Sequence, residues 1–260
     1  SLLTLIAKNM QFKTPLRPLL FVCALSLFFS SCQKDGPSEQ KNLIDIETRD
    51  AAWTKLSIPG QLRGTSAIYG NIDDTLVVAT MYKIYMTTDK GTSWQMVRDE
   101  GLGIPSFSMY QGELMALSNF QDHSTSPFLF SWDHGKSWST KGKYGYEVYD
   151  KVRVNRKETK ISEKESYKIV PQPKEIIDKK YGRPLMQPDK LVRVTDKGEQ
   201  LLDFPFRRRL NYIYHDKKNR LYIGAEGTRF EWTVKGNERT YPTSTDTAII
   251  YISKLPINGR

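Results

Sequence analysis

From Ser66 onward, short apolar or alternating runs are separated by polar turn residues, and no stretch keeps a long 3.6-residue apolar period. Ser66–Tyr69, Thr75–Ala79, Lys83–Met86 and Trp94–Val97 are four strand-length runs in succession. Ser106–Met109, Glu113–Leu117, Phe128–Phe130 and a run after Trp138 repeat that order. Asn211–His215 and Arg220–Gly224, joined by the turn Asp216–Asn219, match the first two strands of such a set. Ala248–Ser253 matches a third strand, and Ala52–Leu56 matches the strand that follows a Ser-Trp pair. Only Lys174–Lys180 reads as a short helix. The pattern predicts an all-β chain made of four-stranded units, with strands from both chain ends completing the unit begun at Asn211.

Before Ser66 the chain has a different character. The 260 residues hold 39 Lys and Arg against 29 acids, a net +10, and are 38% hydrophobic. That content excludes a multi-span helical membrane protein. Much of the apolar content is gathered early. Lys13 and Arg17, after Met10, precede the apolar run Pro18–Phe29, and no acid occurs in residues 1–31. A basic stretch followed by about a dozen apolar residues is the plan of an export signal, and the run falls short of the roughly 20 residues of a membrane-spanning helix. Residues 1–9 read as lying upstream of the natural start, and 1–31 as the signal peptide.

The run ends in Phe29-Ser30-Ser31-Cys32, then turns polar at Gln33-Lys34-Asp35. Two small residues before a Cys resemble the lipobox of bacterial lipoproteins, with Phe29 where an aliphatic residue is usual. The resemblance implies that Cys32 is the lipidated first residue of the mature chain. The other cysteine, Cys23, lies inside the apolar run, so the mature chain has no partner for an internal disulfide. Gln33-Lys34-Asp35 resembles export signals of surface lipoproteins, which points to the outer membrane or cell surface. Residues 32–51 read as lipidated Cys and tether, and 52–260 as the folded domain.

Thr87-Thr-Asp89-Lys-Gly91-Thr-Ser93-Trp94 recurs as Ser131-Trp-Asp133-His-Gly135-Lys-Ser137-Trp138, displaced by 44 residues. An Asp can accept hydrogen bonds from turn amides, Gly supplies positive φ, and Trp anchors the hairpin. The pattern resembles the Asp-box, or BNR repeat, of sialidases and other β-propellers. This implies a small β-propeller of four blades, with five as the alternative. It also implies a structural role for Asp89, Gly91, Trp94, Asp133, Gly135 and Trp138. A calcium loop is the alternative reading of the two aspartates, although neither sits in an Asp-x-Asp-x-Asp ladder. Thr195-Asp196-Lys197-Gly198 is a third, degenerate copy without the Trp.

Residues 151–193 carry thirteen Lys and Arg against six acids, interrupted by four prolines. They read as an insertion or an irregular blade, or as a basic surface for an anionic glycan or another envelope protein. Lys179, Lys180 and Arg183, with Arg207, Arg208 and Arg209, are the candidate anion-binding residues. Nucleic acid is not expected as a partner of an exported chain. Sialidases hold a substrate carboxylate with three arginines, one of them in a Phe/Tyr-Arg-Ile-Pro motif. Here the matching stretch is Leu56-Ser57-Ile58-Pro59, with Ser57 in the Arg position. A hydroxyl cannot replace a bidentate guanidinium. The three histidines are scattered, and no zinc spacing, Ser-His-Asp order or Gly-rich phosphate loop occurs. The resulting expectation is a membrane-anchored binding or accessory module without cofactor, with a sialidase-type exo-glycoside hydrolase as the alternative.

Substituting Cys32→Ala is expected to release the protein from membranes or leave its precursor uncleaved. Mass spectrometry of the native chain decides the matter: an unmodified Cys32 refutes acylation.

Overall fold

The computed structural model describes residues 50–58, 64–118, 123–172, 175–178, 183–185, 187–229, 233–235, 238–240 and 247–257, all within the unit Asn42–Arg260. The proposed signal, Cys32 and nearly all of the tether lie outside the described residues. Strand β1 (Trp53–Ile58) comes first and pairs last. The first blade is β2 (Ala67–Gly70), β3 (Leu76–Thr80), β4 (Lys83–Thr87) and β5 (Gln95–Asp99), antiparallel in that order. The second is β6 (Ser106–Tyr110), β7 (Glu113–Leu117) and β9 (Pro127–Ser131). The short β8 (His123–Ser124) leaves it to pair with β10 (Val154–Asn155). The third blade holds β11 (Glu158–Ser162), β12 (Glu165–Val170), β15 (Lys190–Thr195) and β16 (Gly198–Leu201), with the hairpin β13 (Glu175–Asp178) and β14 (Arg183–Leu185) inserted between its second and third strands. The fourth is β17 (Arg208–His215), β18 (Leu221–Arg229), β21 (Ala248–Ser253) and β1, again with an inserted hairpin, β19 (Thr233–Lys235) and β20 (Glu238–Thr240).

These four antiparallel sheets form a ring, a four-bladed β-propeller. Their inner strands follow one another around it: β17 packs on β2, β2 on β6, β6 on β10, and the chain beyond β10 becomes β11, which packs back on β17. Backbone bonds cross the junctions. Thr65 N–H donates to Ala225 O at 3.1 Å, and Ile213 N–H donates to Arg156 O at 3.1 Å.

Burial explains why the sequence runs look as they do. Every residue of β3, β7 and β21 is buried, because a middle strand is covered on both faces by neighbouring blades. In β21 the strand's period of two divides the side chains between two cores. Ala248, Ile250 and Ile252 enter the core shared with blades one and two, whereas Ile249 and Tyr251 enter the core shared with blade three. The outermost β5 and β16 are largely exposed and carry polar residues.

Three expectations change. The run after Trp138 is reduced to one bridge, Phe130 with Ser139. The outer part of blade two is instead covered by the 3-10 turn Tyr146–Val152, whose Val148 and Val152 pack on Met115, Leu117 and Phe130. Residues 175–178, read as helix, form β13. The β-branched pair Ile176-Ile177 accommodates this easily, and Ile176 pairs with Pro184. Finally, the insertion expected over 151–193 narrows to the β13–β14 hairpin, and most of the segment belongs to blade three, in line with the irregular-blade reading.

Closure by β1 and β21 follows the register Trp53 with Ser253 through Ile58 with Ala248. Ile250→Ala is therefore expected to cost about 2–5 kcal/mol in urea denaturation. Truncating Met96, exposed on β5, should stay within about 0.5 kcal/mol. Equal small losses would place β21 outside the core.

Candidate functional site

The two repeated turns have the same geometry. Thr87 Oγ1 donates to Asp89 Oδ1 at 2.8 Å, as Ser131 Oγ does to Asp133 Oδ1 at 2.8 Å. Ser93 N–H and Ser137 N–H reach the same oxygens at 2.9 Å, and the Ser93 and Ser137 hydroxyls donate to the second oxygen at 2.6 Å. Both carboxylates are thus occupied by turn donors. At Asp89 the Ser93 hydroxyl leads in holding the pKa down to about 2. At Asp133 burial works against ionisation, yet the Ser137 and Ser131 bonds prevail and bring it also to about 2.

Each turn also fastens its blade to the preceding one. Gly91 has φ +83° and faces Leu56 of β1; Gly135 has φ +91° and faces Val77 of β3. A Cβ at either position would meet those side chains at 2.8 Å or 2.6 Å, so glycine is needed for both conformation and space. The tryptophans differ. Trp138 is buried, donates its indole N–H to Gly135 O at 3.0 Å and stacks on Phe107. Trp94 is half-buried, and its indole N–H has no partner among the described residues. The third copy is a plain β15–β16 turn, in which a Cβ at Gly198 would meet nothing within 4 Å.

The six candidate basic residues do not form one surface. Lys179 and Lys180 lie outside the described residues, and Arg183 is placed on β14. Arg208 is a correction: it is fully buried, donating to the Tyr251 hydroxyl at 2.7 Å and to Gly227 O. Successive residues of a strand point to opposite faces, so an Arg-Arg-Arg run cannot present three cations to one side. Arg209 is exposed, and Arg207 is exposed on the loop before β17.

Arg207 lines a cavity of about 590 Å³ at the base of the β13–β14 hairpin, together with Gln172, Gln187, Asp189, Lys190 and Asp203. The Lys190 and Arg207 side chains make no hydrogen bond or ion pair among the described residues. Asp189 is occupied, its Oδ2 accepting Leu210 N–H at 2.7 Å. Nearby, the Lys157 ammonium donates to Leu210 O. Glu226 is half-buried on β18, and burial pushes its carboxyl up; Arg209 and Lys157 oppose the shift and Asp189 adds to it. Sequence reasoning missed Lys157, Asp189 and Glu226, since each is an ordinary charged residue until the ring brings them together.

Other arginines are committed elsewhere: Arg98 to Glu100, Arg193 to Glu165, and Arg220 to Asp73 and Asp216. Ser57, in the motif position of a sialidase arginine, is exposed on β1, the outermost strand of blade four. An arginine there would face solvent. Among the described residues no group of three or more His, Cys, Asp or Glu is placed to hold a metal ion, and no helix is long and apolar enough to cross a membrane.

No family model matches the chain, and no curated protein matches it. Among solved structures it is similar to selenomethionine-substituted virginiamycin B lyase from Staphylococcus aureus, at 11% identity and a TM-score of 0.27, covering 73% of this chain and 58% of that one. It is also similar to the tricorn protease, at 7% identity and a TM-score of 0.22, covering 78% of this chain and 22% of that one.

The depressed Asp133 pKa has a definite sign. Its contribution to stability is present above the unfolded carboxylate pKa of about 4 and is lost as pH falls toward about 2. Asp133→Ala is expected to cost about 1 kcal/mol near neutrality, because solvent screens much of the interaction. The gap between wild type and variant should close in acid. A gap that persists at pH 2 refutes the carboxylate's role.

Proposed function

We propose that this chain is a lipid-anchored extracytoplasmic binding module, with Cys32 as the acylated residue and the two repeated turns as Asp-boxes that hold the blades together. The partner proposed is an anionic glycan of the cell envelope, engaged at the end of the ring that carries the β13–β14 and β19–β20 hairpins. Both hairpins are inserted between second and third strands of adjacent blades, so both rise from that end.

One observation carries this reading. Lys190 and Arg207 are exposed cations without a protein partner among the described residues, and they line the same 590 Å³ cavity beside an inserted hairpin. Two such cations favour an anion, and the Asp203 carboxylate in the same cavity can accept hydrogen bonds from the hydroxyls of a sugar chain. An anchor made of several acyl chains, as in the lipoproteins the N-terminus resembles, would hold such a module durably at a membrane.

Binding of the full protein in detergent to an acidic polysaccharide such as polygalacturonate tests the reading. Affinity should fall with added salt, and Lys190→Ala with Arg207→Ala should weaken it by about tenfold or more. Binding indifferent to both salt and the double substitution refutes it.

A further inference from the structure

A second concavity lies at the opposite end of the ring, where first-to-second and third-to-fourth strand turns gather. Its volume is about 450 Å³, within the range of about 300–1,000 Å³ usual for small-ligand pockets. Three blades contribute: the β2–β3 turn, the β17–β18 turn, and the tip of the repeated turn in blade two. Tyr69 and Tyr214, at the ends of inner strands, are half-buried along its wall with ring centroids 6.3 Å apart and planes tilted by 48°.

The wall is held rigidly. Asp216 is 2% exposed, and its carboxylate accepts the Arg220 guanidinium at 2.6 and 2.8 Å, the Tyr222 hydroxyl at 2.9 Å and the Lys218 and Arg220 amides. The Tyr222 hydroxyl in turn accepts Ile72 N–H at 3.0 Å, and Asp73 pairs with Arg220 at 2.9 Å and Lys218 at 2.8 Å. This network joins the turns of blades four and one across their junction. A concavity held by so many bonds is formed before any ligand arrives.

Around this wall stand three side chains with no partner among the described residues: Lys136, Lys217 and His134. Their positions are set by backbone geometry. His134 occupies a left-handed conformation at φ +59°, the position that Lys90 fills in the first repeat at φ +61°. An Asp74 carboxylate faces the same space.

We propose that this pocket binds a saccharide carrying a carboxylate, with a pyranose face against Tyr69 and Tyr214 and the acid between Lys136 and Lys217. Four features select that chemistry. Tyrosines present rigid amphipathic surface at small entropic cost, suited to the apolar C–H face of a sugar. The 48° tilt makes a wedge and not the parallel slot that a flat nucleobase needs. Free lysines supply donors to an anion. Asp74 would repel a bare anion but accepts hydrogen bonds from sugar hydroxyls, so a ligand with one acid and several hydroxyls suits both lysines and Asp74. The inference is independent of the anionic partner proposed at the hairpin-bearing end, since no residue is shared.

The test uses the full protein in detergent, with glucuronic acid, glucose and a glucuronate-containing oligosaccharide, followed by calorimetry and by saturation-transfer NMR. Glucuronic acid should bind with saturation, and glucose should bind about tenfold more weakly or not at all. Lys136→Ala with Lys217→Ala, both exposed and free of packing duties, should remove about tenfold or more of the glucuronate affinity while the melting temperature stays unchanged. Tighter binding of the oligosaccharide than of the monosaccharide identifies a chain as the source of the ligand; equal binding identifies the free sugar. The proposal is overturned if neither acidic saccharide binds at millimolar concentration, if glucose binds as well as glucuronic acid, or if the double substitution leaves affinity unchanged. The Lys190 and Arg207 substitutions read the other end of the ring, so either proposal can fail alone.

Discussion

The structure depends on covering both faces of the middle strands. Leu76–Thr80, Glu113–Leu117 and Ala248–Ser253 are buried along their whole length, and a strand of that kind cannot end a stack of sheets. Each blade needs another on either side, and the only arrangement without a bare face is a ring. Closure falls to the two chain ends. β21 enters between β18 and β1, so the core of blade four joins residues about 200 positions apart, an entropically costly contact that only extensive burial can offset.

Burial alone would leave the blades free to slide, and polar groups fix their setting. Thr65 donates its hydroxyl to Ile249 O at 2.9 Å, Ser66 bonds Ile104 O at 2.7 Å, and Arg156 bonds Pro105 O at 3.2 Å, each from a link or turn to a neighbouring blade or link. The repeated turns add a steric lock by pressing Gly91 on Leu56 and Gly135 on Val77. At the junction of blades four and one, the Asp216–Arg220–Tyr222 network is fully hydrogen-bonded, the condition under which a buried polar cluster specifies one geometry and does not weaken the core.

Because strands alternate in direction, the two ends of the ring are chemically different. One end carries the long connections with the β13–β14 and β19–β20 hairpins, and its exposed cations come from loop and strand starts. The other carries tight turns, whose fixed backbone places a few side chains with little freedom. Binding at the first end would be broad and electrostatic; at the second it would be local and shape-dependent.

Much of this was legible in the chain itself. Period-two runs and fully apolar runs showed the strands of blades one, two and four, and the 44-residue repeat showed the blade size, because both follow from local backbone geometry; the strands of blade three, in a charged segment broken by prolines, did not stand out. Pairing of the chain ends was also readable, since Ala52–Leu56 and Ala248–Ser253 each matched a strand of another blade. Other features depended on tertiary packing. Blade two lost its fourth strand because Val148 and Val152 cover Met115 and Leu117 instead, a choice that strand propensity does not register. Arg208 carries the same charge as its neighbours, yet its parity in β17 sends it toward Tyr251 and removes it from any surface. Tyr69, Tyr214 and Lys217 belong to no motif, and His134 fills a position of the repeated turn that differs between its two copies. Local sequence determines which segments become strands and turns; only closure of the ring decides which side chains meet, because those meetings join residues from three different blades.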